Sequence, residues 1–179
     1  MPSLPRYLSC APLVLALAGP TAAAGFTPVP PAQHIEPAKM LGRWYEVARL
    51  PNKIQKGCMG GTSDWAKTPD GFAVLQTCHK GGLTAPPTEW KAKAKVVDPV
   101  TNARIKMTFF GGMLSQEYWV LAERQDQGWL LLGTPGGHGL WLMSQRPNLA
   151  ASAKAQAVAR IKALGYDVAA LEFPQPAAR

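Results

Sequence analysis

Long apolar runs are nearly absent from this chain. Beyond its first two dozen residues, no stretch approaches the ~18 consecutive apolar residues that a membrane-crossing helix needs, so the mature chain is expected to be soluble. Cysteine is scarce, at 3 in 179 residues, and no cysteine has a clustered partner or a histidine at metal-ligand spacing. Histidine is equally sparse. His34 sits in a Pro-rich segment, His79 at the end of a strand-like run and His138 in a Gly-rich turn, none with a Ser, Cys or carboxylate partner at a telling distance. No Gly-rich phosphate loop precedes a helix. Catalysis, a metal centre and a bound cofactor therefore have no support in the sequence. Acidic residues are few, 11 against 19 basic, for a formal charge of +8. The basic residues are scattered or alternate along a strand, as in Lys91, Lys93 and Lys95, and form no helical stripe. That pattern argues against a nucleic-acid partner and leaves peripheral contact with an anionic membrane as the partner class that charge allows.

What is present begins with a leader. Arg6 supplies a positive start, residues 11–19 an apolar run, and Ala22-Ala23-Ala24 a small-residue cleavage site before Gly25. Residues 1–24 read as a secretory signal peptide, which places the mature chain in the periplasm. Cys10 precedes the apolar run instead of following it, so it makes a poor lipidation site. Loss of the leader leaves Cys58 and Cys78. In an oxidising compartment an even pair reads as a disulfide, worth about 3 kcal/mol in the chain-entropy model. A reactive thiol or metal site is the rival reading.

Residues 25–40 form a Pro-rich lead-in whose last turn, 35–41, is placed to cover one end of the fold. Strand-like segments follow at 42–50, 58–66, 72–79, 88–97, 103–110, 117–124, 129–134 and 140–146. The fourth is the clearest: Trp90, Ala92, Ala94 and Val96 alternate with lysines, the period of a sheet with one solvated face. Short turns at regular spacing signal an all-β sandwich or barrel with antiparallel neighbours. After Pro147 an Ala-rich helix is expected over 150–164, capped by Asn148, stopped by Gly165 and packed through Val158, Ile161 and Leu164. Residues 171–173 suggest a short final strand.

Gly42-Arg43-Trp44-Tyr45-Glu46 opens the first strand. It is similar to the Gly-x-Trp motif of the lipocalins, in the Trp-Tyr-Glu form of the bacterial outer-membrane branch. Phe109-Phe110-Gly111, Tyr118-Trp119-Val120-Leu121 and Leu140-Trp141-Leu142-Met143-Ser144 extend the resemblance over most of the mature chain, 41–179. It implies an eight-stranded antiparallel up-and-down barrel with the C-terminal helix packed outside. One departure concerns the last motif. The family places an Arg directly after the small residue, lying across the Trp; here that position is Gln145 and Arg146 follows, so the contact with Trp44 is expected to be lost or rebuilt by a bulge.

The family's inward register implies a ligand-binding lining. It comprises Leu50 from the first strand, Trp90, Ala92 and Ala94 from the fourth, and Ile105, Met107 and Phe109 from the fifth. Tyr118 and Val120 from the sixth, Leu130 and Leu132 from the seventh, and Trp141 and Met143 from the eighth complete it. Such a wall suits a hydrocarbon chain, at about 0.8 kcal/mol per buried methylene. A fatty acid or lysophospholipid is the expected ligand, with Tyr118, Arg49 or Lys53 meeting its head group. Glu46 is expected as a buried, hydrogen-bonded carboxylate at the barrel's base. A lipocalin enzyme would need a free thiol in the cavity, whereas both cysteines are expected to face outward and be bonded. A barrel filled by its own side chains, a haem- or tetrapyrrole-binding lipocalin using His79 or His138, and a protein-binding module are the alternatives. Relatives in this branch include monomers and homodimers.

Overall fold

The computed structural model describes residues 26–176; the leader and Cys10 lie outside the described residues. Eight strands form one closed antiparallel barrel in chain order. They are β1 (Gly42–Arg49), β2 (Cys58–Thr68), β3 (Gly71–Lys80), β4 (Thr88–Val96), β5 (Arg104–Phe109), β6 (Leu114–Arg124), β7 (Trp129–Gly133) and β8 (Leu140–Ser144). Helix α1 (Ala151–Ala163) lies outside. Because every connection is up-and-down, the segments after β1, β3, β5 and β7 share one end, the mouth, and the others share the closed end.

Alternation produces two apolar layers. Inward residues such as Trp44, Trp65, Phe72, Ala94, Ile105, Met107 and Leu130 form one buried cluster, which Ile35 and Met40 join from the lead-in. A 3-10 helix at Pro37–Met40 carries Met40 under the barrel, and the Trp44 indole N–H donates to Met40 O at 2.9 Å. Gly42, at φ 94°, makes the bend into β1 that a β-carbon would strain. The outer layer joins Leu131, Leu140 and Leu142 to Ala153, Ala157 and Ile161 of α1. These three lie four apart, and the two alanines let the helix backbone approach the sheet. Val158, expected in the seam, is only partly buried, because the alanine row turns it to the side. The helix starts at Ala151 with Ala150 as its uncapped N-terminal neighbour, so Asn148 does not serve as the cap. Its end is as expected. Gly165, at φ 91°, donates to Lys162 O, and Tyr166 donates to Ile161 O, a paired C-terminal closure.

Three bulges interrupt the alternation, two of them beneath α1 and one at Met59 in β2. The β1–β8 register shifts between Glu46 and Ala48, and the β6–β7 register between Val120 and Ala122. Each turns two successive residues outward, Val47 with Ala48 and Leu121 with Ala122, beneath α1. The first bulge also reverses everything after it. Arg49 becomes inward-directed and buried, and Leu50 packs on the outer layer, so Leu50 is not part of the lumenal wall as expected.

β1 pairs with β2 only from Gly42↔Trp65 to Tyr45↔Thr62. Above that level the two strands part. The C-terminal segment bridges the seam: Arg49 and Glu172 exchange backbone hydrogen bonds at 3.0 and 2.9 Å, and Gln175 N–H reaches Met59 O at 2.7 Å. The expected last strand is thus a single bridge.

Candidate functional site

The lumen has two halves. Toward the closed end, Trp44, Trp65, Phe72, Val74, Ile105 and Leu130 are buried in one cluster. Toward the mouth, the inward residues Gln76, Trp90, Gln116, Tyr118 and Trp141 are only partly buried. The rings of Tyr118 and Trp141 meet at 5.7 Å. Except for Leu50, every residue expected in the lining belongs to the inner cluster or packs against it. The residues that reach solvent are the rings of Trp90, Tyr118 and Trp141. Ala92, Ala94, Ile105, Met107, Phe109, Val120, Leu130, Leu132 and Met143 are buried.

Burial holds the Tyr118 phenol far above its ordinary range, at about 12, so it is a neutral donor at physiological pH. Its hydroxyl makes no hydrogen bond among the described residues.

A polar tie crosses the mouth half. Arg49, 3% exposed, donates from Nη1 to Glu46 Oε1 at 2.8 Å, from Nε to Glu172 Oε2 at 2.7 Å and from Nη2 to Cys58 O at 2.9 Å. The other Glu46 oxygen accepts from Gln55 Nε2 at 2.7 Å. Gln55 comes from the loop after β1. Its own oxygen accepts from Trp141 Nε1 and Asn52 Nδ2, both at 2.7 Å, which fixes the orientation of its amide. Glu46 therefore sits not at the base, as expected, but below the mouth. Gly61 admits it, because a β-carbon there would lie 3.2 Å from Glu46 Oε2 and 2.6 Å from Thr77 O. Burial raises the Glu46 pKa, and the Arg49 charge and the Gln55 hydrogen bond oppose that rise. Arg49 is buried with three of its N–H groups engaged, whereas Lys53 is exposed.

Cys58 and Cys78 are bonded, with Cα atoms 5.4 Å apart. Cys78 is fully buried and follows Val74 and Gln76 in the inward row of β3, and the bulge at Met59 brings Cys58 to the same side. The bridge therefore faces inward near the mouth, contrary to the expected outward orientation. His79 falls on the outer face of β3 and its Nδ1 is engaged with Ala85 O at 2.9 Å; His138 is exposed in the β7–β8 turn. Neither points into the lumen. At the closed end, Arg146 is exposed and donates to Gln127 O at 3.4 Å, and Gln145 is also exposed. The cation that covers the indole in the resembled family is replaced at Trp44 by the Met40 carbonyl and apolar packing, and the fold is unchanged.

Two shallow concavities lie outside the lumen. One, about 380 Å³, follows the seam between Arg49, Met59 and Phe173; the other, about 490 Å³, lies along α1 beside Val158. Among the described residues no group of His, Cys, Asp or Glu is arranged to hold a metal, and no helix is long and apolar enough to cross a membrane.

The model of the lipocalin-like domain matches residues 35–176. The chain belongs to the lipocalin family. Outer membrane lipoprotein Blc of Vibrio cholerae is 28% identical over 151 residues, 82% of this chain and 86% of that protein. Blc of Escherichia coli K12 is also 28% identical, over 159 residues covering 87% and 86%. Insecticyanin of the tobacco hornworm Manduca sexta superposes with a TM-score of 0.69 over 84% of this chain and 86% of its own, at 17% identity, a likeness of fold alone. Lipocalins are in general binding proteins for small hydrophobic molecules, and that is the ligand class this lipocalin's membership supports.

Proposed function

We propose that this lipocalin binds one single-chain lipid, a fatty acid or a lysophospholipid, in the mouth half of its barrel. The observation that carries the reading is the group of inward rings near the mouth, Trp90, Tyr118 and Trp141, which pack on the inner cluster yet are only partly buried. A hydrocarbon tail covers that surface, at about 0.8 kcal/mol per methylene, from which ordering and association costs are subtracted. The Tyr118 hydroxyl, without a hydrogen bond among the described residues, is available as a donor, and the exposed Lys53 at the rim suits an anionic head group. The tail stops above Trp44, where the interior is solid. Binding in this reading is not catalysis: the sole buried carboxylate of the lumen, Glu46, is tied by Arg49 and Gln55, and both thiols are consumed in the disulfide.

The signal-like leader and the named location of the Blc relatives support a periplasmic role, associated with the outer membrane, in storing or scavenging lipid during envelope repair or stress. The test is lipid extraction and mass spectrometry of protein from its native envelope, with displacement of an apolar fluorophore by palmitate and by lysophosphatidylethanolamine. The reading predicts co-purified single-chain lipid and saturable one-to-one displacement. Protein that arrives free of lipid and ignores the fluorophore overturns it.

A further inference from the structure

The two rims of the barrel differ in the charge of their connecting segments; both expose apolar residues, with Leu41, Val97 and Val100 at the closed end and bulkier ones at the mouth. Four segments form the mouth: residues 50–57, 81–87, 110–113 and 134–139. None contains an aspartate or glutamate. Lys53 and Lys56 in the first segment and Lys80 at the end of β3 are exposed, and none forms an ion pair among the described residues. Large apolar side chains stand out on the same rim: Ile54 and Met59 beside the lysines, and Phe110, Met113 and Leu114 across the barrel, with Met113 85% exposed. The closed-end connections instead carry Asp70, Asp98 and Asp126, together with Glu36 of the lead-in.

The turn between β5 and β6 holds its apolar residues outward at a conformational cost. Phe110 adopts φ 52° and is followed by Gly111 at 68° and Gly112 at 113°, a left-handed run that a bulky residue avoids. The result is a projecting tip in which Met113 is 85% exposed and Phe110, beside the Phe109 ring, is about half exposed. Exposed lysines on one side of the mouth and apolar side chains on the other, with no acid in the four connecting segments, match a surface that offers negative charge above a hydrocarbon layer.

We infer that the mouth docks on an anionic lipid bilayer, with the Phe110–Met113 tip entering the interface and Lys53, Lys56 and Lys80 facing the lipid phosphates. Docking stands on the rim alone; its use, moving a lipid between bilayer and lumen without crossing water, rests on the reading of the lumen proposed above. In that orientation the Gln55 loop lies against the membrane, where its displacement uncouples Trp141 from Glu46 and widens the entrance.

The experiment is co-sedimentation of the full chain with vesicles of phosphatidylethanolamine and phosphatidylglycerol in equal parts, and with vesicles of phosphatidylcholine. The leader is common to every variant, so differences between variants are what count. The wild type is expected to prefer the anionic vesicles and to lose that preference in high salt. Lys53→Gln with Lys56→Gln is expected to weaken anionic binding by roughly thirtyfold, and Phe110→Ser with Met113→Ser by roughly tenfold or more. Val97→Ser with Val100→Ser, exposed apolar residues at the closed end, is expected to change nothing. Equal binding to both vesicle types, unchanged binding by the mouth variants, or an equal loss in the closed-end variant overturns docking. Concentration-dependent dimerisation that the mouth variants abolish, without vesicle binding, assigns the rim to a second copy and also overturns it. Fluorophore displacement in vesicle-free solution reads the lumen separately. The Phe110→Ser, Met113→Ser protein retains it if the chamber is the lipid site. Vesicle binding by a wild type that displaces no fluorophore leaves docking standing and removes the lipid-carrier reading.

Discussion

At the closed end, Trp44, Trp65, Met40 and Ile35 exclude water by packing, with the two indole hydrogen bonds of Trp44 and Trp65 and no buried charge among the described residues. At the mouth, Glu46, Arg49, Glu172 and Gln55 hold strands, loop and C-terminal segment together through charge and hydrogen bonds, beside an inward disulfide. The difference teaches that the barrel is sealed by two kinds of force. Packing is insensitive to pH and salt and leaves no room to move. A polar tie can be undone locally, by losing one hydrogen bond or one charge, while the sheet beneath remains intact.

Four changes bear on that contrast. The largest effect is expected at Arg49. Arg49→Ala strands the buried Glu46 carboxylate and is predicted to cost about 3–5 kcal/mol in urea denaturation. Glu46→Leu with Arg49→Met is predicted to recover most of that loss. A double variant as unstable as Arg49→Ala would show that packing, not charge, governs the mouth as well.

Trp44→Ala is expected to cost a similar amount, about 3–5 kcal/mol, through an unfilled cavity. Its distinguishing mark is a loss that stays constant with pH and salt; a strongly pH-dependent loss would mean that the two ends are not separate. Cys58→Ala with Cys78→Ala is expected to lower stability by about 3 kcal/mol, measured under oxidising conditions. The same pair of changes under reducing conditions should add little.

The smallest effect is the pH dependence of Glu46. Its folded pKa is raised by burial, so the folded state keeps the proton to higher pH than the unfolded state does. The stability this contributes is complete below the unfolded pKa and is lost as pH rises through the raised folded value. Glu46→Gln should flatten that decline in denaturation curves taken across the mildly acidic range. An unchanged slope would assign the decline to other groups.

Much of this architecture could be read from local pattern. The lysine–alanine alternation of β4 identified its inner face, Gly165 ended the helix where its φ requires a glycine, and the Pro-rich lead-in turned under the barrel through Met40. What escaped were events that depend on distant neighbours. The bulge at Val47 has no signature in Glu46-Val47-Ala48-Arg49, yet it turned Arg49 inward and Leu50 outward. The bulge at Met59 likewise helped to place the disulfide on the inner face. The mouth tie draws Glu46 and Arg49 from β1, Gln55 from a loop, Trp141 from β8 and Glu172 from the C-terminal segment. The one local hint was Asn52 and Gln55 three apart in a loop, each able to bond to the other. On the helix, Ile161, Leu164 and the adjacent Ala157 pack on the outer layer as expected, and Val158 alone is displaced, because Ala153 takes the place in the seam.

The account turns on the interior being open and apolar above Trp44 and solid below it. Quenching of tryptophan fluorescence by a bromine-labelled fatty acid tests this directly, using Trp→Phe variants to assign the signal among the 6 tryptophans. Saturable quenching that disappears mainly in Trp90→Phe and Trp141→Phe, and persists in Trp44→Phe and Trp65→Phe, is the predicted result. Quenching carried by Trp119 and Trp129 on the outer layer, or none that saturates, would contradict it.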